Sequence, residues 1–283
     1  MEKNIDYTLN EFGNLLDSLE KHPIANTSYI GTGNPNAKIL IIGKECAIDL
    51  QTDNGQRQYQ REIKNNLNLW LQNSKTNLQY TDIQDWFTNI ADEIKFNPLF
   101  PFYGQLFKKD RINKNGESNK GTNATWMNYQ KLIDKIRGVS RTNDKLIDFH
   151  KFTFISELND VCFPKSPVKY NHEIAESIKQ RTNNLFNQSF FQSFPVVIVA
   201  TGMYQRLYQD EIDLQKCFKV TWDGKTNNVS EKNYNWFNVH HSSQGTPKLV
   251  IHTNQLSMNI TDELLTNISK VCVEFIQKNH ITL

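Results

Sequence analysis

The chain has 283 residues, 38% of them hydrophobic and 11% aromatic, with a formal net charge of +2. That apolar content predicts a packed globule and argues against disorder. The near-balanced charge excludes the make-up of a strongly basic nucleic-acid coat protein, while a local basic face would still suffice for DNA binding. The four cysteines, Cys46, Cys162, Cys217 and Cys272, lie far apart with no CxxC pair. They read as free thiols of a reducing compartment, and no metal or organic cofactor is expected. The first residues (MEKNID) lack the apolar core of a signal peptide. No apolar run approaches the ~18 residues of a membrane span. The expectation is a cytoplasmic chain without a membrane partner.

Residues 8–21 carry Leu9, Phe12, Leu15, Leu16 and Leu19 at helical spacing, which predicts an amphipathic first helix. A Gly/Asn/Pro loop follows (GTGNPN, 31–36), then the apolar run Ile39-Leu-Ile-Ile42. A run of this kind bounded by loop residues predicts a strand buried on both faces. It ends in Gly43-Lys-Glu45-Cys-Ala. Residues 57–74 and 81–93 read as helices, with Leu67, Leu69, Trp70, Ile83, Trp86 and Ile90 facing the core. The stretch 94–124 is rich in Lys, Asn and Gly after an aromatic knot, Phe100-Pro-Phe102-Tyr103. A loop that long is often functional, and 108–122 reads equally well as a disordered insertion. Residues 125–137 return to helix.

Phe152-Thr-Phe-Ile155 is the second predicted strand and leads into Glu157-Leu-Asn159-Asp160. A helix over 171–190 precedes the third strand, 195–200, which runs into Thr201-Gly202 and a helix from about 203. The fourth strand, 248–251, runs into His252-Thr-Asn-Gln-Leu256-Ser257. Thr261 caps a last helix that extends to about 278, with Asp262 and Glu263 in its first turn. Strands alternating with helices predict right-handed crossovers and a parallel sheet of about four strands in one domain spanning 1–283.

Ligands of open α/β sheets bind outside the carboxyl ends of the strands. Three groups stand there. Glu45 projects after the first strand, and Gly43 before it permits a tight turn and close backbone approach. Asn159 follows the second strand, with an amide able to donate and accept toward a nucleobase edge. His252 follows the fourth, four residues before Leu256. Each has an ordinary structural explanation taken alone: a solvated carboxylate, a turn amide, a hydrogen-bonded core histidine, a core leucine. Their shared position at strand ends favours a site.

The order of these elements resembles the uracil-DNA glycosylase superfamily over roughly 28–278. GKECA (43–47) stands at that family's first motif, and HTNQLS (252–257) at its second, with His252, Leu256 and Ser257 at matching places. Phe100-Pro-Phe102 and the later Asn123-Ala-Thr-Trp126 are similar to segments of the mismatch-type branch, and VVIVATGMYQ is similar to the family's third strand and Gly turn. Cys46 replaces the proline of the first motif, Thr253 and Gln255 replace residues of the second, and Glu45 stands where the family has Asp or Asn.

The resemblance implies a three-layer α/β/α fold and a DNA glycosylase acting on a flipped uracil, damaged or modified base, in repair or in defence against modified phage DNA. Glu45 would stabilise the sugar cation and orient water, and His252 would stabilise the departing base. Asn159 would read the base edge, Gly43 would lie close to it, and Phe102 would stack on it. Leu256 would fill the duplex gap, and Lys248, Ser242, Ser243 and Ser257 would contact phosphates of the DNA. Three rivals remain. One is a catalytically silent DNA- or nucleotide-binding protein of the same fold. Another is a different α/β enzyme, although no GxxxxGK[ST] phosphate loop is present. The last is an interaction protein that docks through its aromatic loop.

Overall fold

Two successive residues of a strand face opposite sides of its sheet, and that alternation organises this molecule into two cores. The computed structural model describes residues 4–22, 28–83, 96–101, 104–112, 114, 116–165, 167–230, 234–242 and 244–283. Its strands are β1 (Thr32–Gly33), β2 (Ile39–Gly43), β3 (Thr153–Glu157), β4 (Val196–Val199), β5 (Thr221–Ser230), β6 (Asn235–His241) and β7 (Leu249–Thr253). They form one mixed sheet of seven strands in the order β1-β3-β2-β4-β7-β6-β5. β3, β2, β4 and β7 run parallel, while β1, β6 and β5 each pair antiparallel with their neighbours.

Leu40 and Ile42 of β2 share one core with Phe154, Val197 and Val250, beneath the helices Phe12–Lys21, Asn66–Thr76 and His172–Arg181. Ile39 and Ile41 share the other with Ile155, Ile198 and Ile251, beneath the helices Ala124–Arg137 and Asp262–Lys278. The sheet is therefore covered by helices on both faces, which is why its central strands are apolar without a break. Asn123 and Thr261 cap the two helices of the second face, accepting from Trp126 N–H at 2.9 Å and Leu264 N–H at 3.2 Å.

The four expected strands are present and parallel, and among the described residues the sheet extends beyond them to seven mixed strands. The missed hairpin β5–β6 has a physical reason. β5 (TWDGKTNNVS) is an exposed edge strand with nothing packed on most of its side chains. Polar composition at an edge blunts pairing with other chains, and it also erases the apolar pattern by which strands are read. Of the stretch 94–124, expected as a long loop with 108–122 reading equally as a disordered insertion, the described residues are pinned at several points: Leu106 and Phe107 donate to the carbonyls of Lys120 and Lys145, at 2.7 and 2.8 Å, and Thr122 donates to the Lys108 carbonyl at 2.7 Å. The expected helix over 81–93 is seen only as Tyr80–Ile83; 84–93 lie outside the described residues. Among the described residues no helix is long and apolar enough to cross a membrane.

Candidate active site

The carboxyl ends of the parallel strands open into a cavity of about 430 Å³, within the roughly 300–1,000 Å³ of small-ligand sites. Gly43 and Glu157 at the ends of β2 and β3, Ile155 within β3 and Ala200 just after β4 line it from the sheet. One wall is the start of the helix Ala124–Arg137, whose Thr125, Trp126 and Tyr129 fall on one face by helical spacing. The opposite wall is the helical segment 53–64, with Asn54, Gln58 and Glu62. Phe96, Pro101 and Gln105 close it from the loop side, and Gln255 reaches it from the loop after β7. Aromatic rings and a few convergent polar groups make such a cavity suited to a flat, polar-edged ligand.

Glu45 stands in this cavity, and Asn159 holds it. The Asn159 amide donates to Glu45 Oε2 and to the Lys44 carbonyl, each at 3.1 Å, and its Oδ1 accepts from Val161 N–H at 3.0 Å. Asn159 is fully buried, and the contacts its amide makes are those of a brace on Glu45. Both of its N–H donors are already engaged.

A second carboxyl faces the same space and was missed in the sequence. Glu157 is the last residue of β3, in register with Gly43 of β2. Its Oε2 is buried with no hydrogen-bond partner. Burial first, and the Glu45 charge second, push its carboxyl from 4.5 up to about 8, against the opposing pull of Arg181. Glu157 therefore holds a proton at neutral pH. The available signal was a carboxylate that directly continues a buried strand, where an exposed loop residue would be ordinary. Gly43 also has a different reason to be glycine than the one expected. Its φ is not in the left-handed region; the missing Cβ makes room for the Glu157 carboxyl.

Behind the carboxyls lies Arg181, completely buried. It donates from Nε to the Glu157 carbonyl at 3.0 Å, from Nη1 to the Tyr29 carbonyl at 2.8 Å and from Nη2 to Ser156 Oγ at 3.1 Å. Bonding a buried guanidinium to two backbone oxygens and the Ser156 hydroxyl ties the end of β3 to the chain entering β1 and braces the cavity floor. Burial, then Glu157, holds the Cys46 thiol well above its usual range, so Cys46 is not a thiolate nucleophile. Among the described residues no group of three or more His, Cys, Asp or Glu is arranged to hold a metal ion.

The other expected site residues lie elsewhere. His252 lines a separate, open depression with Trp222, Trp236 and His240. Its Nε2 is 3.0 Å from the Gly202 carbonyl, its ring meets Trp236 edge-on at 4.9 Å, and burial lowers its pKa to about 4. It latches β7 to the turn after β4 as a neutral imidazole. Leu256 is fully buried in the second core, so in this conformation it is not a protruding wedge. The Ser257 carbonyl accepts from Asn128 Nδ2 at 2.7 Å, which fixes that loop on the helix Ala124–Arg137.

Lys248 and Ser242 are paired backbone to side chain, Lys248 N–H to Ser242 Oγ, at 2.9 Å. They sit where β7 begins and β6 has ended, the edge of the sheet opposite to Glu45. The Lys248 ammonium is turned inward to the Gln192 carbonyl at 2.5 Å. Both residues therefore stand at the opposite end of the parallel strands from Glu45. Phe102 and Ser243 lie outside the described residues. No protein-family model matches the chain, and no curated protein matches its sequence.

Proposed function

We propose that this protein hydrolyses the N-glycosidic bond of a base in DNA, with the base flipped into the cavity between the strand ends and the helix Ala124–Arg137. The observation that carries the reading is the pair of carboxyl groups, Glu45 braced by Asn159 and Glu157 kept protonated, in one aromatic-walled cavity. Two carboxyls in opposite protonation states are the usual equipment for cleaving glycosidic bonds. The order β3-β2-β4-β7 of the parallel strands, with helices on both faces, accords with a three-layer fold of the uracil-DNA glycosylase kind.

In this reading Glu45, as a carboxylate, lies beside the sugar, stabilises the positive charge that grows at C1′ and accepts a proton from the attacking water. The water oxygen bonds to C1′ as the C1′–N bond breaks and its electron pair leaves with the base, and Glu45 later releases the water proton to solvent. Glu157 delivers its proton to that departing base and afterwards regains one from solvent. This gives the leaving-group role to Glu157, because His252 faces a different depression. Tyr129 and Trp126 flank the base as apolar surfaces.

The test is a panel of labelled duplex and single-stranded oligonucleotides carrying uracil, mismatched thymine, hypoxanthine, and hydroxymethylated or glucosylated cytosine. Alkali converts each abasic site to a strand break. Breaks with one base that vanish in Glu45→Gln establish the activity and its substrate. Retained DNA binding with no break on any member establishes instead the catalytically silent binding protein, a reading that the position of His252 favours.

A further inference from the structure

The segment 53–64 is one helical rod with two flanks. The α-helix Asp53–Tyr59 runs directly into a π-turn over Gln60–Lys64. Thr52 caps its start, its Oγ1 accepting from Gly55 N–H at 3.0 Å. Gly55 is pressed so closely on the preceding loop that a Cβ there would stand 1.9 Å from the Asp49 carbonyl oxygen, which fixes the rod relative to the loop carrying Glu45. The inner flank closes the cavity. The outer flank borders an open groove of about 1020 Å³ whose charged side chains are Asp53, Arg57, Arg61 and Lys64. Arg61 borders both spaces.

Arg57, Arg61 and Lys64 follow each other at spacings of four and three, so they form one row. At the helical rise of 1.5 Å the row is ~10 Å long, enough to run beside two or three successive phosphates of one strand. Arg57 and Lys64 are exposed. Arg61 pairs with Glu62, yet its Nε is buried without a hydrogen-bond partner, a donor in reserve for a ligand oxygen. π-turns recur at functional sites because they re-aim side chains. The chain as a whole carries only +2, so three cations against one anion along this groove are a local concentration of charge.

We infer that Arg57, Arg61 and Lys64 form a track for the phosphates of the nucleic-acid strand whose base enters the adjoining cavity. The inference rests on the function proposed above and adds to it the path of the strand. The strand runs along the outer flank of the rod, and Arg61 stands at the crest between phosphate and base. Guanidinium forks grip two phosphate oxygens each, while Lys64 adds a point charge.

The test is binding of a fluorescein-labelled oligothymidylate, followed by anisotropy across a range of salt concentrations. Arg57→Gln/Lys64→Gln is expected to weaken binding roughly tenfold. It should also flatten the slope of log K against log salt by about 1.4, at ~0.7 per lost phosphate contact. Lys216→Gln/Lys270→Gln removes the same charge from exposed positions elsewhere and is expected to change neither quantity. An unchanged slope in the first variant, an equal change in both, or no binding by the wild-type protein would each overturn the track. The failure of base release on every oligonucleotide is a separate result. It overturns the proposed hydrolysis and leaves the track standing wherever the first variant alone loses salt-dependent binding.

Discussion

The carboxyl of Glu157 occupies the place where Gly43 would carry a side chain: a Cβ built on Gly43 would lie 2.2 Å from Glu157 Oε2. The two residues are register partners on adjacent parallel strands, so the sheet itself fixes this relationship. Gly43→Ala therefore acts on the carboxyl and not on the backbone. The atom in the way is the end of a flexible side chain, which can swing aside at a cost of ~1 kcal/mol. On the proposed mechanism, in which Glu157 gives its proton from one position, base release is expected to fall on the order of 10–100-fold. Urea denaturation and the oligonucleotide assay together check this. A large stability loss with undiminished turnover per folded molecule would contradict it.

Glu157→Gln tests the proton directly. The folded-state pKa of about 8 lies above the ordinary 4.5, so the folded protein binds the extra proton. Stability from this group is full below about 4.5 and is lost as pH rises towards 8, at no more than about 1.4 kcal/mol per pH unit. The glutamine variant lacks that slope. Its stability relative to wild type should grow with pH across this window, as read from urea midpoints. Its base release should fall on the order of 100-fold, and the alkaline limb of the wild-type rate profile, near pH 8, should disappear.

Much of this arrangement is legible in the sequence. Ile39–Ile42, Phe154–Ile155, Val196–Val199 and Leu249–Ile251 announce themselves because both faces of each strand are covered, and the convergence of their ends brings Glu45 and Asn159 together without any structural knowledge. What the sequence conceals is orientation. Asn159 and Glu157 are two residues apart, yet the amide is spent on bracing while the carboxyl faces the cavity. His252 and Gln255 follow the same strand, and the side chain that reaches the cavity is Gln255. The family resemblance implies a phosphate contact for Lys248, and its position at the start of β7 sets it at the opposite end of the parallel strands from Glu45. Side-chain direction depends on which carbonyl or ring lies opposite, and those partners are distant in sequence.

Asn159→Leu separates bracing from reading. The substitution keeps the branched shape at a larger volume and removes the donors to Glu45 Oε2 and the Lys44 carbonyl, together with the acceptor of Val161 N–H. Two oxygens and the Val161 N–H lose this partner, and the larger side chain must fit a buried site, at a cost of ~1–3 kcal/mol in stability. If the amide only positions Glu45, kcat falls about tenfold for every base and the preference among bases is unchanged. A changed order of preference across the oligonucleotide panel would restore Asn159 as a reader of the base edge.

His252→Gln distinguishes a latch from a catalytic donor. The imidazole is buried and neutral, with its pKa lowered from 6.5 to about 4 mainly by burial. Its contribution to stability is present above pH 6.5 and is lost as pH falls through about 4, because the unfolded chain takes up the proton first. Glutamine can still donate to the Gly202 carbonyl but cannot titrate, so acid denaturation of the variant should be shallower by up to about one proton. His150 and His240, also held below their usual range by burial, keep part of the slope in both proteins. Base release at neutral pH should stay within about twofold of wild type, since the residue faces the depression of Trp222 and Trp236 and not the cavity of Glu45. A loss on the order of 100-fold, the size expected for removing a catalytic donor, with stability intact, would move the leaving-group role back from Glu157 to His252. It would also require the loop 252–257 to close over the cavity when DNA is bound.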